Sequence, residues 1–408
     1  MMKRFSIHCL LLCMPFSISA QDTIPLYPNR FSFQIKEEVE AGTLRLVRAA
    51  WEYTYIGKQK ETLDVHNYDT DERWGFDTLT ADQLAYFRTF QPVNAQEEIL
   101  RRAADEQIVI INESHILPRH RQFTKELLSG LKAAGFSYFG QEALSNCASL
   151  PPDFPCDTLL NERGYPLYSV ASGSYIREPQ MSRLIREAHH LGFTIFAYES
   201  FGKNRDSMQA VYIAQLLKKD PEARIVVLCG FGHNIEVVDN ETWVHNGKLM
   251  AYQLKQLTGI DPLTINQYLL SEAHDGRAND LYRMINLPES SVFINAEGKL
   301  FSGWPPTDDR FDMLVYHPRT QYALGRPTWL INEAGMRLYF PDQEKITIDY
   351  PIIFKVWPQG ELDTASPIEV IERTTPEEQT PLVLQPGKYR LKLENSVGES
   401  REWEISVE

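Results

Sequence analysis

A small set of acids, imidazoles and one guanidinium falls just where aliphatic stretches of the chain end. Glu113 and His115 follow Ile108-Val-Ile-Ile-Asn112, and Glu142 closes Phe136-Ser-Tyr-Phe-Gly-Gln141. Glu199 closes Phe193-Thr-Ile-Phe-Ala-Tyr198, Arg205 follows shortly after, and Arg224-Ile-Val-Val-Leu-Cys229 runs into Gly230-Phe-Gly-His233. Two chemistries use these residue types. In one, His115 and His233 with a carboxylate such as Glu142 hold a divalent metal and an activated water, the open N/O geometry of a hydrolytic centre. In the other, no metal is needed. His115 serves as general base on a water, a glutamate orients its far nitrogen, and Arg205 meets the charge that develops on the attacked carbonyl. The chain has no HExxH and no GxSxG, which argues against the common zinc-protease and serine-hydrolase layouts.

For these groups to meet, the aliphatic stretches must be parallel strands. Helical periodicity over Arg119–Ala134, Glu178–Leu191 and Asp206–Lys219 separates them, which predicts crossover units and a largely parallel sheet flanked by helices. All four strand ends then share one edge, where open α/β sheets bind ligands. His120 and Arg121, on the first turn of the first helix, and His317, beside Met313-Leu-Val-Tyr316, are the expected substrate-binding residues. Residues 143–177, with Pro151, Pro152 and Pro155, are too long for a plain connection and are expected to border the site. Trp51, Tyr53, Tyr55 and Trp304 are candidates for an aromatic wall.

Three units are expected: a leader over 1–20, an α/β domain over 21–338 whose part 21–106 is helical, and a small β-sandwich over 339–408. Asn94-Ala-Gln-Glu97 reads as a helix start, and SSVFINAEG and FDMLVYHP read as further strands that could extend the sheet. The sandwich rests on KITIDY, PIIFKVW, PIEVIER, PLVL, GKYRLKLE and REWEISVE, short alternating runs separated by turns. Lys3 and Arg4, the apolar run Phe5–Phe16 and Ser17-Ile-Ser-Ala20 have the form of an export signal too short to span a bilayer, so a periplasmic or cell-envelope location is expected. In an oxidising compartment Cys147 and Cys156 could bridge, whereas Cys229, at a strand end, reads as a buried thiol. A net charge of −14 argues against nucleic acid as partner and leaves a small molecule or peptide as the expected substrate.

The ordered set Asn112-Glu-Ser-His115, Glu142, Glu199, Arg205-Asp-Ser-Met208 and Gly230-Phe-Gly-His233 resembles the superfamily that joins erythromycin esterases, ChaN-like haem-binding lipoproteins and the Tiki/TraB proteins. The resemblance covers about residues 95–240 and implies an α/β core with these side chains in one cleft. Its branches imply different activities: a water-activating esterase with the first histidine as base, a metal-dependent peptidase, or a haem-binding protein without turnover. Asn112 stands where the family motif has glycine.

Overall fold

The computed structural model describes residues 26–28, 30–65, 78–238, 247–273, 280–305 and 308–408; the expected leader lies outside the described residues. Six strands form the central sheet: β1 (Ile108–Glu113), β2 (Tyr138–Gln141), β3 (Thr194–Ala197), β4 (Ile225–Gly230), β5 (Leu263–Asn266) and β6 (Met313–Leu314). Their order is β3-β2-β4-β1-β5-β6 and every pairing is parallel. The near-continuous aliphatic runs of β1 and β4 are what a parallel strand buried on both faces requires. Val109, Ile111, Val226 and Leu228 pack on one face against α1 (Pro118–Ala133) and α2 (Pro179–His190). Ile108, Ile110, Ile225 and Val227 pack on the other against α3 (Arg205–Lys219) and α4 (Met250–Thr258).

The starts of these helices follow local chemistry. Pro118 opens α1, where its missing N–H costs nothing. Glu178 caps α2 by accepting from the N–H groups of Gln180 and Met181 at 3.0 and 2.9 Å. Asn94 caps the helix Ala95–Ala103 through Glu97 N–H, as its sequence suggests.

Of the two further strands expected to extend the sheet, one joins it and one is corrected. Ser291–Asn295 pairs antiparallel with Phe90–Asn94 in a separate ribbon, while only Met313–Leu314 joins the main sheet. Leu263–Asn266 lies beside β1 and was not expected, because four residues are too few to show a period. At the C-terminus the strands Glu369–Arg373, Ile352–Pro358, Gly387–Asn395 and Ser400–Val407 form an antiparallel sheet in that order. The ribbon Arg337–Tyr339/Leu382–Leu384 packs on it through Phe354, Leu382, Leu384 and Leu391. KITIDY is not a strand; part of it belongs to a 3₁₀ turn, Gln343–Lys345. Buried Arg183 of α2 fastens this unit to the core, donating to the Ile368 carbonyl at 2.7 Å and to Glu369 at 2.9 Å.

Cys147 and Cys156 are disulfide-bonded with a Cα separation of 5.6 Å, and Cys229 is a buried free thiol. Among the described residues no helix is long and apolar enough to cross a membrane.

Candidate functional site

The register of the sheet brings the chemistry together. Glu113 pairs with Gly230 across β1 and β4, and Gln141 lies opposite Leu228, so Glu142 continues alongside the end of β4. Glu113 is fully buried, yet its carboxyl is held down at about 2: burial pushes the pKa up, and Arg121 and His115 outweigh it. The ionised carboxylate only accepts, so the 2.8 Å contact with His115 puts the imidazole proton on Nδ1. The Nε2 lone pair is left facing Gly230 and Glu142. A Cβ on Gly230 would lie 2.4 Å from His115 Cε1, 2.8 Å from its Nε2 and 3.1 Å from Glu142 Oε2. Only glycine lets the imidazole and the carboxylate close on this strand end.

Three aromatic rings wall the imidazole. Tyr175 lies at 4.4 Å between centroids, Phe231 edge-on at 4.7 Å and Trp51 edge-on at 5.3 Å. Phe231 takes a left-handed φ of 45°, fixed by its N–H to the Glu113 carbonyl at 2.8 Å and by Asn112 Nδ2–H to its own carbonyl at 2.5 Å. The other end of the Asn112 amide accepts from Gln267 N–H at 2.7 Å. Asn112 therefore ties three strand ends together.

Opposite His115, Arg205 opens α3 and organises the second half of the site. It donates through Nε to Glu199 at 2.9 Å, through Nη2 to Glu199 at 2.6 Å and to Glu142, and through Nη1 to His233 Nε2 at 2.7 Å. A guanidinium has five N–H groups, so these four bonds leave one on Nη1 for an incoming oxygen. Glu199 is further fixed by Ser200 N–H at 2.7 Å and Gln209 at 2.9 Å, and acts as the prop of Arg205. His233 Nδ1 contacts Asp206 at 2.6 Å, and the same Asp206 oxygen accepts from Met250 N–H at 2.9 Å. Burial disfavours the charged imidazole, but Asp206 and Glu142 raise the His233 pKa overall while Arg205 opposes them. The Arg205 contact needs an unprotonated Nε2, so it strengthens as pH rises. Glu142 sits between the halves, accepting from Gly230 N–H and Arg205; burial raises its pKa, and His233, Arg205 and His115 bring it below the usual carboxylate value.

His115, Glu113, Glu142, Glu199, Arg205 and His233 thus meet at one edge, as their spacing implies. The three expected substrate-binding residues do not line the cleft. Arg121 is fully buried and cements the site from below: it bonds Glu113 at 2.6 Å, Glu178 at 2.9 Å and the His115 carbonyl at 2.8 Å. His120 accepts from Ser114 N–H at 2.9 Å and reaches Ser271 at 2.7 Å, and burial lowers its pKa to about 3. His317 is held by Ser290 and Gln267 at 2.9 Å each, stacked 5.2 Å from His120, and burial likewise keeps it neutral. Both are core histidines. Of the proposed aromatic wall only Trp51 reaches His115; Trp304 packs with Phe301, Tyr53 with Phe31, and Tyr55 under Arg177. Tyr175, Glu178, Asp206 and Phe231 are site residues that spacing did not reveal.

The set His115, His233 and Glu142 does not fit a divalent metal. The Arg205 guanidinium already fills the donor direction of His233 Nε2 and binds Glu142. Among the described residues no group of three or more His, Cys, Asp or Glu side chains is arranged to hold a metal ion.

Fold and site together define a parallel α/β protein with a His/Glu/Arg cluster at its carboxyl strand ends. No family model and no curated protein matches the chain. Among solved structures, the type III effector HopBA1 aligns with a TM-score of 0.33 and 10% identity over 56% of this chain and 96% of its own. RRSP, a MARTX toxin effector domain from Vibrio vulnificus CMCP6, aligns with a TM-score of 0.28 and 16% identity over 63% of this chain and 49% of its own. A structure described as bacterial protein toxins gives a TM-score of 0.26 and 15% identity over 57% of this chain and 55% of its own.

The fit at Gly230 gives a direct test. Gly230→Ala would push the His115 ring off Glu142, and a displacement of this size costs on the order of 10²-fold in turnover where a reaction depends on it. Near-wild-type turnover in a folded Gly230→Ala protein would remove His115 from the chemistry.

Proposed function

We propose that the chain is an exported hydrolase of an ester or amide in a small molecule or peptide, with water activated by His115 without a metal. The observation that carries this reading is the Arg121–Glu113–His115 series, which fixes one imidazole proton on Nδ1 and leaves Nε2 as an acceptor facing the end of the strand at Gly230. His115 Nε2 takes a proton from water as the oxygen adds to the carbonyl carbon. The anionic Glu113 stabilises the imidazolium through Nδ1–H, as a carboxylate does for any catalytic imidazole. The remaining Arg205 N–H meets the oxyanion, and collapse of the tetrahedral species returns the proton from His115 to the departing alkoxide or amine. Glu142, Glu199 and His233 hold Arg205 in place for that contact. Of the branches that the sequence resembles, the erythromycin esterases imply the same use of the first histidine as base.

The test is a panel of p-nitrophenyl esters and a fluorogenic peptide mixture, run with and without EDTA on gently purified protein. Turnover that survives EDTA and disappears in His115→Ala is the expected result. Turnover lost to EDTA and restored by a divalent metal would overturn the metal-free step. A copurifying haem band lost in His115→Ala, with no turnover of any probe, would favour ligand capture in its place.

A further inference from the structure

The connection between β2 and α2 folds back along the end of β2. Ser174 N–H donates to the Ala143 carbonyl at 2.9 Å, and Leu144 bridges Gly173. This approach excludes a side chain at Gly173, whose Cβ would lie 2.1 Å from the Ala143 oxygen. The chain two residues on is thereby set beside Glu142, and the residue there is Tyr175. Its ring lies over the His115 imidazole, tilted 40°, with Trp51 at 5.7 Å and the Arg121 guanidinium 5.4 Å from the ring.

Tyr175 is only 5% exposed, and its hydroxyl has no hydrogen-bond partner. A buried hydroxyl without a partner costs stability, and phenylalanine would fill the same space without that cost. The nearby carboxylates are already taken up, Glu113 by His115 and Arg121 and Glu142 by Arg205. Burial first, then the charges of Glu142 and Glu113, raise the phenol pKa well above its usual value. At neutral pH Tyr175 is therefore a donor with nothing to donate to.

We propose that Tyr175 is a catalytic residue whose phenolic O–H donates to the substrate oxygen that becomes the oxyanion, as second donor beside Arg205. The assignment rests on the hydrolase reading. No proton is transferred; the hydrogen bond strengthens as charge builds on the oxygen. It also gives the insertion 143–177 a function, since that segment carries the donor and leads into Glu178, the anchor of Arg121.

The experiment compares wild type with Tyr175→Phe in three readouts. With a p-nitrophenyl ester, kcat should fall on the order of 10²-fold, the loss typical of one oxyanion donor, with KM little changed. The thermal midpoint should stay level or rise, because an unpaired buried hydroxyl has been removed. By ¹⁹F NMR, trifluoroacetone, which hydrates to a tetrahedral adduct, should bind wild type at least tenfold more tightly than the variant. Unchanged kcat and binding would overturn the proposal, as would a lowered midpoint, which would make the hydroxyl structural. Failure of trifluoroacetone to bind wild type would overturn it as well. Tyr175-dependent binding without turnover of any ester or peptide would sink the hydrolase reading and with it the catalytic role, leaving Tyr175 a donor to the oxygen of a bound ligand.

Discussion

Replacing His115 with alanine should lower kcat/KM by about 10³-fold, within the range expected for loss of a positioned general base. The fold should survive the change. His115 is partly open to solvent, with 11% of its side chain exposed, and Glu113 keeps its bonds to Arg121, so no buried charge is stranded. What is lost is the packing of Tyr175, Phe231 and Trp51 on the imidazole, roughly 1 kcal/mol for an aromatic contact of this kind. Glu113→Gln provides the contrast. It preserves shape, but a neutral amide stabilises the imidazolium less and can donate to Nδ1, which would move the proton to Nε2 and silence the base. Activity should therefore fall in both variants, while Glu113→Gln loses more stability, because Arg121 then keeps only Glu178 as a charged partner. Steady-state kinetics and urea unfolding on the two proteins separate the roles. His115→Ala turnover above a tenth of wild type would assign the base elsewhere, with His233 the next to test.

The half of the site that spacing revealed is the half carried by strand ends. Ile108–Ile111 and Ile225–Cys229 are aliphatic on both faces, so their ends, and the groups placed there, can be located without coordinates. Helix and loop residues are different. Arg121 and His120 look like an exposed first turn, but that turn is wedged beneath the strand exit and buried on every side, including Gln122, Phe123 and Thr124. No period distinguishes such a turn from a solvated one, because its burial comes from segments remote in sequence: Glu178, Ser271 and the helix Leu46–Tyr55, which brings Trp51 over His115. Tyr175 was hidden for a related reason, since the insertion has no repeat and its course is set by Gly173 meeting Ala143. Asp206 was overshadowed by Arg205, although adjacent positions at a helix start can both reach a strand end.

Arg121→Met is expected to have the largest effect on stability, about 3–5 kcal/mol at neutral pH. Methionine keeps much of the volume but strands Glu113 and Glu178, which are almost completely buried and share this guanidinium. The pH dependence makes the result diagnostic. In wild type Glu113 titrates at about 2, below its usual value of 4.5, so its contribution is present above the unfolded pKa and is lost as pH falls from about 4.5 towards 2. Without Arg121 the balance at Glu113 changes sign, because burial, the largest influence, raises the pKa and only the contact with His115 opposes it. The variant would bind a proton on folding at Glu113, so its deficit relative to wild type should shrink as pH is lowered from 7 towards 5. Urea midpoints at pH 5, 6 and 7 measure this slope. A deficit under about 1 kcal/mol, or one that grows on acidification, would mean that the carboxylates find other partners and that Arg121 is not the fixed base of the His115 series. The same variant links fold to chemistry: an unanchored Glu113 no longer holds the Nδ1 proton, so activity should be lost even at the pH where the protein is best folded.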